Sequence, residues 1–317
     1  MEKKFVLQAL TFIRKLKIKI FGKQLKVFQI LPQYSYQQAS DIIRESLEFD
    51  KPCMIARFGS VELDCLEYIR KLEKSLISRS FEYIKGDIDL IGRETNVEYC
   101  MQNNAGFFPT DEASLKKFSK LMLDSMKDLD ILGSWLHKEK IFEKELAHVR
   151  TVGLGDLEPY HHENPWSKVL KGKKVLVIHP FEVSIKSQYS RREFLFDNID
   201  VLPDFKLITY KPVVSFAGNS LVTGFESWFE ALEFMKREIE KIDFEVAIIG
   251  CGAYGFPLAS YIKKIGKKSV HLGGATQILF GIKGKRWEHE SFNDYWIRPS
   301  PEERPENFKH VEGGCYW

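Results

Sequence analysis

Residues 244–272 read "FEVAIIGCGAYGFPLASYIKKIGKKSVHL", and no other stretch limits the fold as much. An apolar run, a glycine loop, a helical segment and a second apolar run in that order spell a strand-helix-strand crossover, whose two strands run parallel. A parallel sheet has both faces covered, so the rest of the chain must supply further strands and helices on either side.

The remaining pattern agrees. "KKVLVIHPF" reads as a buried strand, "FKLITYKPVVSF" as another, and "FESWFEALEFMKREIEKI" as a helix. Nearer the start, "SYQQASDIIRESLEF" is an amphipathic helix, "CMIARFG" a short strand, and "SVELDCLEYIRKLEK" a helix with Ser60 placed to cap it. From Glu82 to Ala147 the period is mostly helical, interrupted at "NNAGFFPTD". The expected fold class is α/β: a Rossmann-like, mainly parallel sheet with helices on both faces and a helix-rich N-terminal half. Residues 34–287 are expected to form this unit, and residues 288–317, rich in Pro, Glu and aromatics without periodicity, to wrap its surface.

Of the 317 residues 44% are hydrophobic, enough for a large core, and a formal charge of +3 is too small to argue for nucleic acid as a partner. Five cysteines stand far apart with no C-x-x-C pair, which suits reduced thiols in the cytoplasm rather than disulfides or zinc. His161 and His162 are adjacent and lack metal-ligand spacing. The segment 1–33 differs, with eight Lys and Arg up to Ile30 against one acid, Glu2. It holds no apolar run of the roughly 18 to 20 residues that crosses a bilayer, and no signal peptide is expected. Basic and apolar residues interleaved in this way suit attachment to an anionic membrane surface; an ordinary docking segment is the other reading, and the alternation in "KLKIKI" leaves its helicity open.

The glycine loop spells G-x-G-x-x-G at Gly250, Gly252 and Gly255, with Tyr254 inside it. Such a loop admits positive φ and lets a phosphate approach the backbone, while the following helix start presents free N–H groups. A dinucleotide site also needs an Asp or Glu about 20 residues on, at the end of the second strand. That strand instead ends "HLGGATQ", with no acid before Glu288 and no arginine before Arg286. A nucleotide or sugar phosphate is therefore the expected ligand, with tight helix-strand packing as the bland alternative. Gly273, Gly274, Thr276 and Gln277 make a second glycine-bearing strand end beside the first, and Lys283, Lys285 and Arg286 stand near enough in sequence to meet a diphosphate.

The motifs "ARFGSVELDCL", "NNAGFFP", "LEPYHHENPW", "KVLVIHPFEVSIKSQY" and "IIGCGAYGFPLASYIKKIGKKSVHLGGATQILFGIKGKRW" together resemble the GT-D fold glycosyltransferases of bacterial surface-glycan and adhesin glycosylation. The resemblance spans about Ser40 to Trp287. It implies metal-dependent transfer of a sugar from a nucleotide diphospho-sugar donor to a hydroxyl of a glycan acceptor, at the inner face of the cell membrane if that acceptor is lipid-linked. In that family the elbow reads R-F-G-D-G-E; here Arg57, Phe58, Gly59 and Glu62 match, Ser60 replaces the aspartate and Val61 the second glycine.

The resemblance thus places Glu62 and Ser60 at a Mn²⁺ or Mg²⁺ ion, with Asp64 expected on another helix face, and Arg57 at the leaving diphosphate. Gly59, Ser60, the glycine-loop residues and Arg286 would hold the donor. The group that takes the acceptor's proton is left among Glu62, Asp156, Glu158, His179 and Glu182, all at strand ends or in the polar loop. His179 is equally readable as a buried structural histidine, and Tyr160 and Trp166 as core rather than sugar-stacking rings. Two other functions stay in view: an NAD(P)-dependent sugar-modifying oxidoreductase, and a non-catalytic nucleotide-sugar-binding relative.

Overall fold

Short apolar runs of four or five residues become strands that send alternate side chains to opposite faces of one sheet. The computed structural model describes residues 2–22, 31–85, 95–216, 223–290 and 292–317. Its strands are β1 (Cys53–Ala56), β2 (Ile131–Ser134), β3 (Arg150–Gly153), β4 (Lys174–Ile178), β5 (Lys206–Tyr210), β6 (Val246–Ile249) and β7 (Lys268–His271). All pairs are parallel, in the order β3-β2-β1-β7-β6-β4-β5.

Met54, Ala56, Leu132, Leu176, Ile178, Ala247 and Ile249 enter one core. Their neighbours Cys53, Ile55, Ile131, Val175, Val177, Val246 and Ile248 enter a second. The first core is covered by α3 (Ser60–Leu72), α5 (Thr95–Asn103), α6 (Glu112–Met126), α8 (Trp228–Glu240) and α9 (Gly255–Lys264). The second is covered by α2 (Tyr36–Glu48), α7 (Glu182–Tyr189) and α10 (Ala275–Leu279), with Trp296, Val311 and Trp317 from the last thirty residues. Helix starts follow ordinary capping: the Asp111 carboxylate accepts from Ser114 N–H at 2.9 Å, and Ser227 Oγ accepts from Glu230 N–H at 3.2 Å.

The path of the chain opens a crevice. Leaving their carboxyl ends, β1 leads into α3 and β6 into α9 on one face, while β7 leads into α10 and β4 into α7 on the other. In the order β1-β7-β6-β4 the loops therefore part alternately to opposite faces, which is where open α/β sheets receive ligands.

Three expectations are corrected. The stretch read as helical to Ala147 contains β2, and β3 follows it; a run as short as "ILGS" carries too few residues to separate strand from helix by period. Ser60 is the first residue of α3 rather than its cap, a place taken by Gly59. The tail is not confined to the surface: Glu303 accepts from Val183 N–H at 2.7 Å and from the backbone and hydroxyl of Ser184, pinning the tail to the start of α7, and Trp317 is buried. At the other end Glu2–Phe21 is helix (α1), which settles the "KLKIKI" ambiguity, and it packs on α4 (Leu76–Lys85). Residues 23–30 of the basic segment lie outside the described residues.

Phe107 is fully buried among Phe118 at 5.1 Å, Trp228 at 5.3 Å and Phe229 at 5.8 Å between ring centroids, and Trp228 in turn stacks on Tyr254 of the glycine loop. Phe107→Ala is expected to lower unfolding free energy by about 3–5 kcal/mol in urea titration.

Candidate functional site

At the carboxyl ends of the strands lies a cleft of about 520 Å³. It is lined by the loops after β1, β6, β7 and β4, by Trp135 after β2 and Glu158 after β3, by Arg286 and Trp287, and by the tail residues Glu312, Tyr316 and Trp317. That size accommodates a nucleotide-sized ligand.

The elbow after β1 is shaped around Glu62. With Gly59 at the cap and no side-chain cap available, Glu62 turns its carboxylate back over the helix start and accepts from its own backbone N–H. A Cβ on Gly59 would collide with that carboxylate, so the glycine is a steric requirement of the glutamate. Burial raises the Glu62 carboxyl above its usual range, partly opposed by its own N–H and by Arg57.

Arg57 follows β1 directly. Its guanidinium lies over the Trp135 ring, 4.8 Å from the centroid, and Trp135 is held by its Nε1–H donating to Phe58 O at 3.0 Å. Glu139, fully buried, accepts from Ser134 Oγ and from the backbone N–H of Trp135 and Leu136, both at 3.2 Å, and so fixes the platform. Nε of Arg57 is buried and has no hydrogen-bond partner, and among the described residues no carboxylate lies within ion-pair distance of the guanidinium. Burial pulls its pKa down, though an arginine stays charged. Across the crevice a Cβ on Gly273 would stand 3.1 Å from Nη1.

The glycine loop serves three separate constraints. A Cβ on Gly250 would stand 2.7 Å from Thr276 Oγ1 and 2.8 Å from His179 Cδ2; Gly252 has φ of 59°; Gly255 has no room for a Cβ beside the His271 ring. Gly250, Cys251 and Gly252 line the cleft, with Gly273, Gly274 and Gln277 opposite. Gln277 donates to Ile282 O and Tyr316 O, leaving a buried Oε1 without a partner.

Two histidines at strand ends are neutral in opposite tautomers. His179 Nδ1 accepts from Phe181 N–H at 3.0 Å, so its proton is on Nε2. His271 Nδ1 donates to Ile249 O at 3.1 Å, which leaves Nε2 as an acceptor. Burial pulls both down to about 3, with Arg57 adding to the fall at His271. Both line the cleft, one offering a donor and the other an acceptor.

Of the residues expected at a site, Arg57, Gly59, Ser60, Glu62, Glu158, His179, Gly250, Gly252, Gly273, Gly274, Gln277 and Arg286 meet in this cleft. Others do not. Asp156 braces its own loop, accepting from Tyr36 N–H at 3.0 Å and Gly153 N–H at 3.1 Å. Tyr254 is core, stacked on Trp228 with its hydroxyl against Ser215 Oγ at 3.2 Å. Gly255 faces His271, Thr276 donates to Ile249 O at 3.1 Å, and Glu182 pairs with Lys186 along α7. Lys283 rests against the Phe292 ring, and Lys285 is exposed outside the cleft lining. Trp166 is core, donating from Nε1 to Leu157 O at 2.9 Å, and Tyr160 donates to Glu158, which also meets His161 Nε2 at 3.3 Å.

Of the residues expected at a metal ion, Glu62 brings one carboxylate to the cleft. Asp64 pairs with Lys138 at 2.6 Å, Ser60 brings only a hydroxyl, and among the described residues no three His, Cys, Asp or Glu side chains form a group that could hold one.

Sequence reasoning missed Trp135, His271, Glu312 and Tyr316. Trp135 follows a strand too short to recognise, while Glu312 and Tyr316 belong to a tail without periodicity. Arg286 pairs with Glu312 and lies over the Tyr316 ring at 4.7 Å. Compared with protein-family models, with curated proteins and with solved structures, the chain matches none.

Because both histidines are neutral in the fold and unfolded histidine takes up a proton near 6.5, their stability contribution is complete above that pH and lost as pH falls towards 3. Acidification from pH 7.5 to 5 is expected to cost on the order of 2 kcal/mol per histidine. A His179→Gln, His271→Gln double variant should show a shallower decline in denaturant unfolding over that range.

Proposed function

We propose that the protein is a glycosyltransferase whose cleft binds the diphosphate of a nucleotide sugar and passes the sugar to a hydroxyl of a glycan acceptor. The observation that carries this reading is Arg57, a cation held at the strand ends with a buried Nε that no protein group satisfies. A buried N–H donor without a partner is costly, and an anionic ligand supplies the missing acceptor. Gly250, Gly252 and Gly273 let a phosphate come close to the main chain, and Arg286 adds a second cation across the cleft.

In the proposed reaction the acceptor oxygen bonds to the anomeric carbon as the bond from that carbon to the diphosphate oxygen breaks. The acceptor's proton passes to the Glu62 carboxylate, which burial makes a stronger base than an exposed glutamate. The negative charge arriving on the diphosphate is met by Arg57 and Arg286, fixed in advance by Trp135 and Tyr316. His179 Nε2–H and the His271 Nε2 lone pair are available to orient hydroxyls of the sugar.

The test is ligand binding by thermal shift and calorimetry with UDP, GDP, CMP and NADH. One nucleoside diphosphate is expected to bind, with affinity that persists in EDTA and falls about 10- to 100-fold in Arg57→Met, the loss of a charge-assisted hydrogen bond. Stabilisation by NADH alone would overturn the reading. Glu62→Gln is expected to keep donor binding and lose about 10²- to 10⁴-fold in transfer; unchanged turnover would remove Glu62 from the proton's path.

A further inference from the structure

Apart from the cleft, the most unusual surface is at α1. Phe12, Ile13, Leu16 and Ile20 are 69%, 45%, 48% and 63% exposed, and on the adjoining α4 Leu76, Ile77 and Phe81 are 63%, 71% and 62% exposed. At 100° per residue Phe12, Leu16, Ile20 and Ile13 fall within one stripe about 100° wide. The opposite side of α1 is occupied: Thr11 Oγ1 meets Tyr83 Oη at 3.1 Å, Arg14 lies over the Tyr83 ring at 4.6 Å, and Lys17 Nζ donates to Lys85 O at 2.8 Å. The polar groups of α1 thus hold α4 while its apolar groups face out, the reverse of a helix docked on its own core.

Lys15 and Lys19 border that stripe, are exposed, and form no ion pair among the described residues. From Ala9 to Gly22 there is no acidic residue. We propose that α1 lies flat on an anionic lipid surface, with Phe12, Ile13, Leu16 and Ile20 sunk among the acyl chains and Lys15 and Lys19 at the headgroups. The pattern fits lipid better than a second copy of the chain, because two copies meeting on this face would oppose lysine to lysine, whereas phosphate headgroups receive both lysines. The stripe runs about 12 Å along the helix axis. No described helix is long and apolar enough to cross a bilayer, so the contact is parallel to the surface.

The inference stands on this face alone and does not rest on the cleft's reading. The full chain is tested by co-sedimentation with vesicles of phosphatidylcholine, with and without phosphatidylglycerol. Binding is expected only to the anionic vesicles. It should fall about tenfold or more in Phe12→Ser, Leu16→Ser, Ile20→Ser, and by at least a similar factor in Lys15→Glu, Lys19→Glu. Because every substituted side chain is exposed, both variants should keep the parent's melting temperature, which light scattering and a thermal scan check together. Equal binding to neutral vesicles, or binding unchanged in either variant, would overturn the proposal. So would a dimer that the triple-serine variant splits while vesicle binding stays absent throughout.

Discussion

A parallel sheet buried on both faces is the constraint from which the rest follows. Its strands can be short because both sides of each carry apolar side chains, as Cys53–Ala56 and Val246–Ile249 do with every residue buried. Covering both faces forces each connecting segment to leave for one side or the other. Between β1, β7, β6 and β4 the departures alternate, so the strand ends cannot be sealed by a single layer of loops. The cleft is thus a product of connectivity before any side chain is considered.

The side chains then give the cleft its character: two arginines, Arg57 and Arg286, set among three carboxylates, Glu62, Glu158 and Glu312. Arg57 is supported by an aromatic face rather than a carboxylate, and the nearest acid of its elbow, Glu62, is turned back over its own helix start. Glu139, the fully buried glutamate nearby, is spent on Ser134 and on the backbone of residues 135 and 136. Arg286 is the better compensated of the two cations, through Glu312 and Tyr316. An incoming diphosphate would complete Arg57 and compete with Glu312 for Arg286, so the two arginines are unequal partners by construction.

Much of the fold was legible. The helices at 36–48, 60–72, 112–126 and 228–240 follow from apolar spacing, and β1, β4, β6 and β7 from short runs bounded by glycine or proline. The strands β2 and β3 escaped because four residues between helical segments carry no usable period. The elbow at Arg57–Glu62 and the glycine loops were found because each is local, a strand end and a helix start within a few residues. Tyr254 and Thr276 were drawn into the expected site by adjacency alone, and packing claims them instead: an aromatic next to a glycine turn has a core to fill, and a hydroxyl at the second residue of α10 finds the carbonyl of Ile249.

By itself the sequence determined the local devices: which segments alternate, where glycine allows a turn, where a cation follows a strand, and that residues before Gly22 combine lysine with bare apolar side chains. These depend on neighbours within one or two turns, so spacing encodes them. Tertiary structure alone decided which devices share a cleft. The Trp135 platform under Arg57, the His271 bond to Ile249 and the arrival of Glu312 and Tyr316 at Arg286 join residues about 20 to 80 positions apart in the chain. Only the order in which the strands pair brings such groups within hydrogen-bond reach, and that order is a property of the packed sheet as a whole.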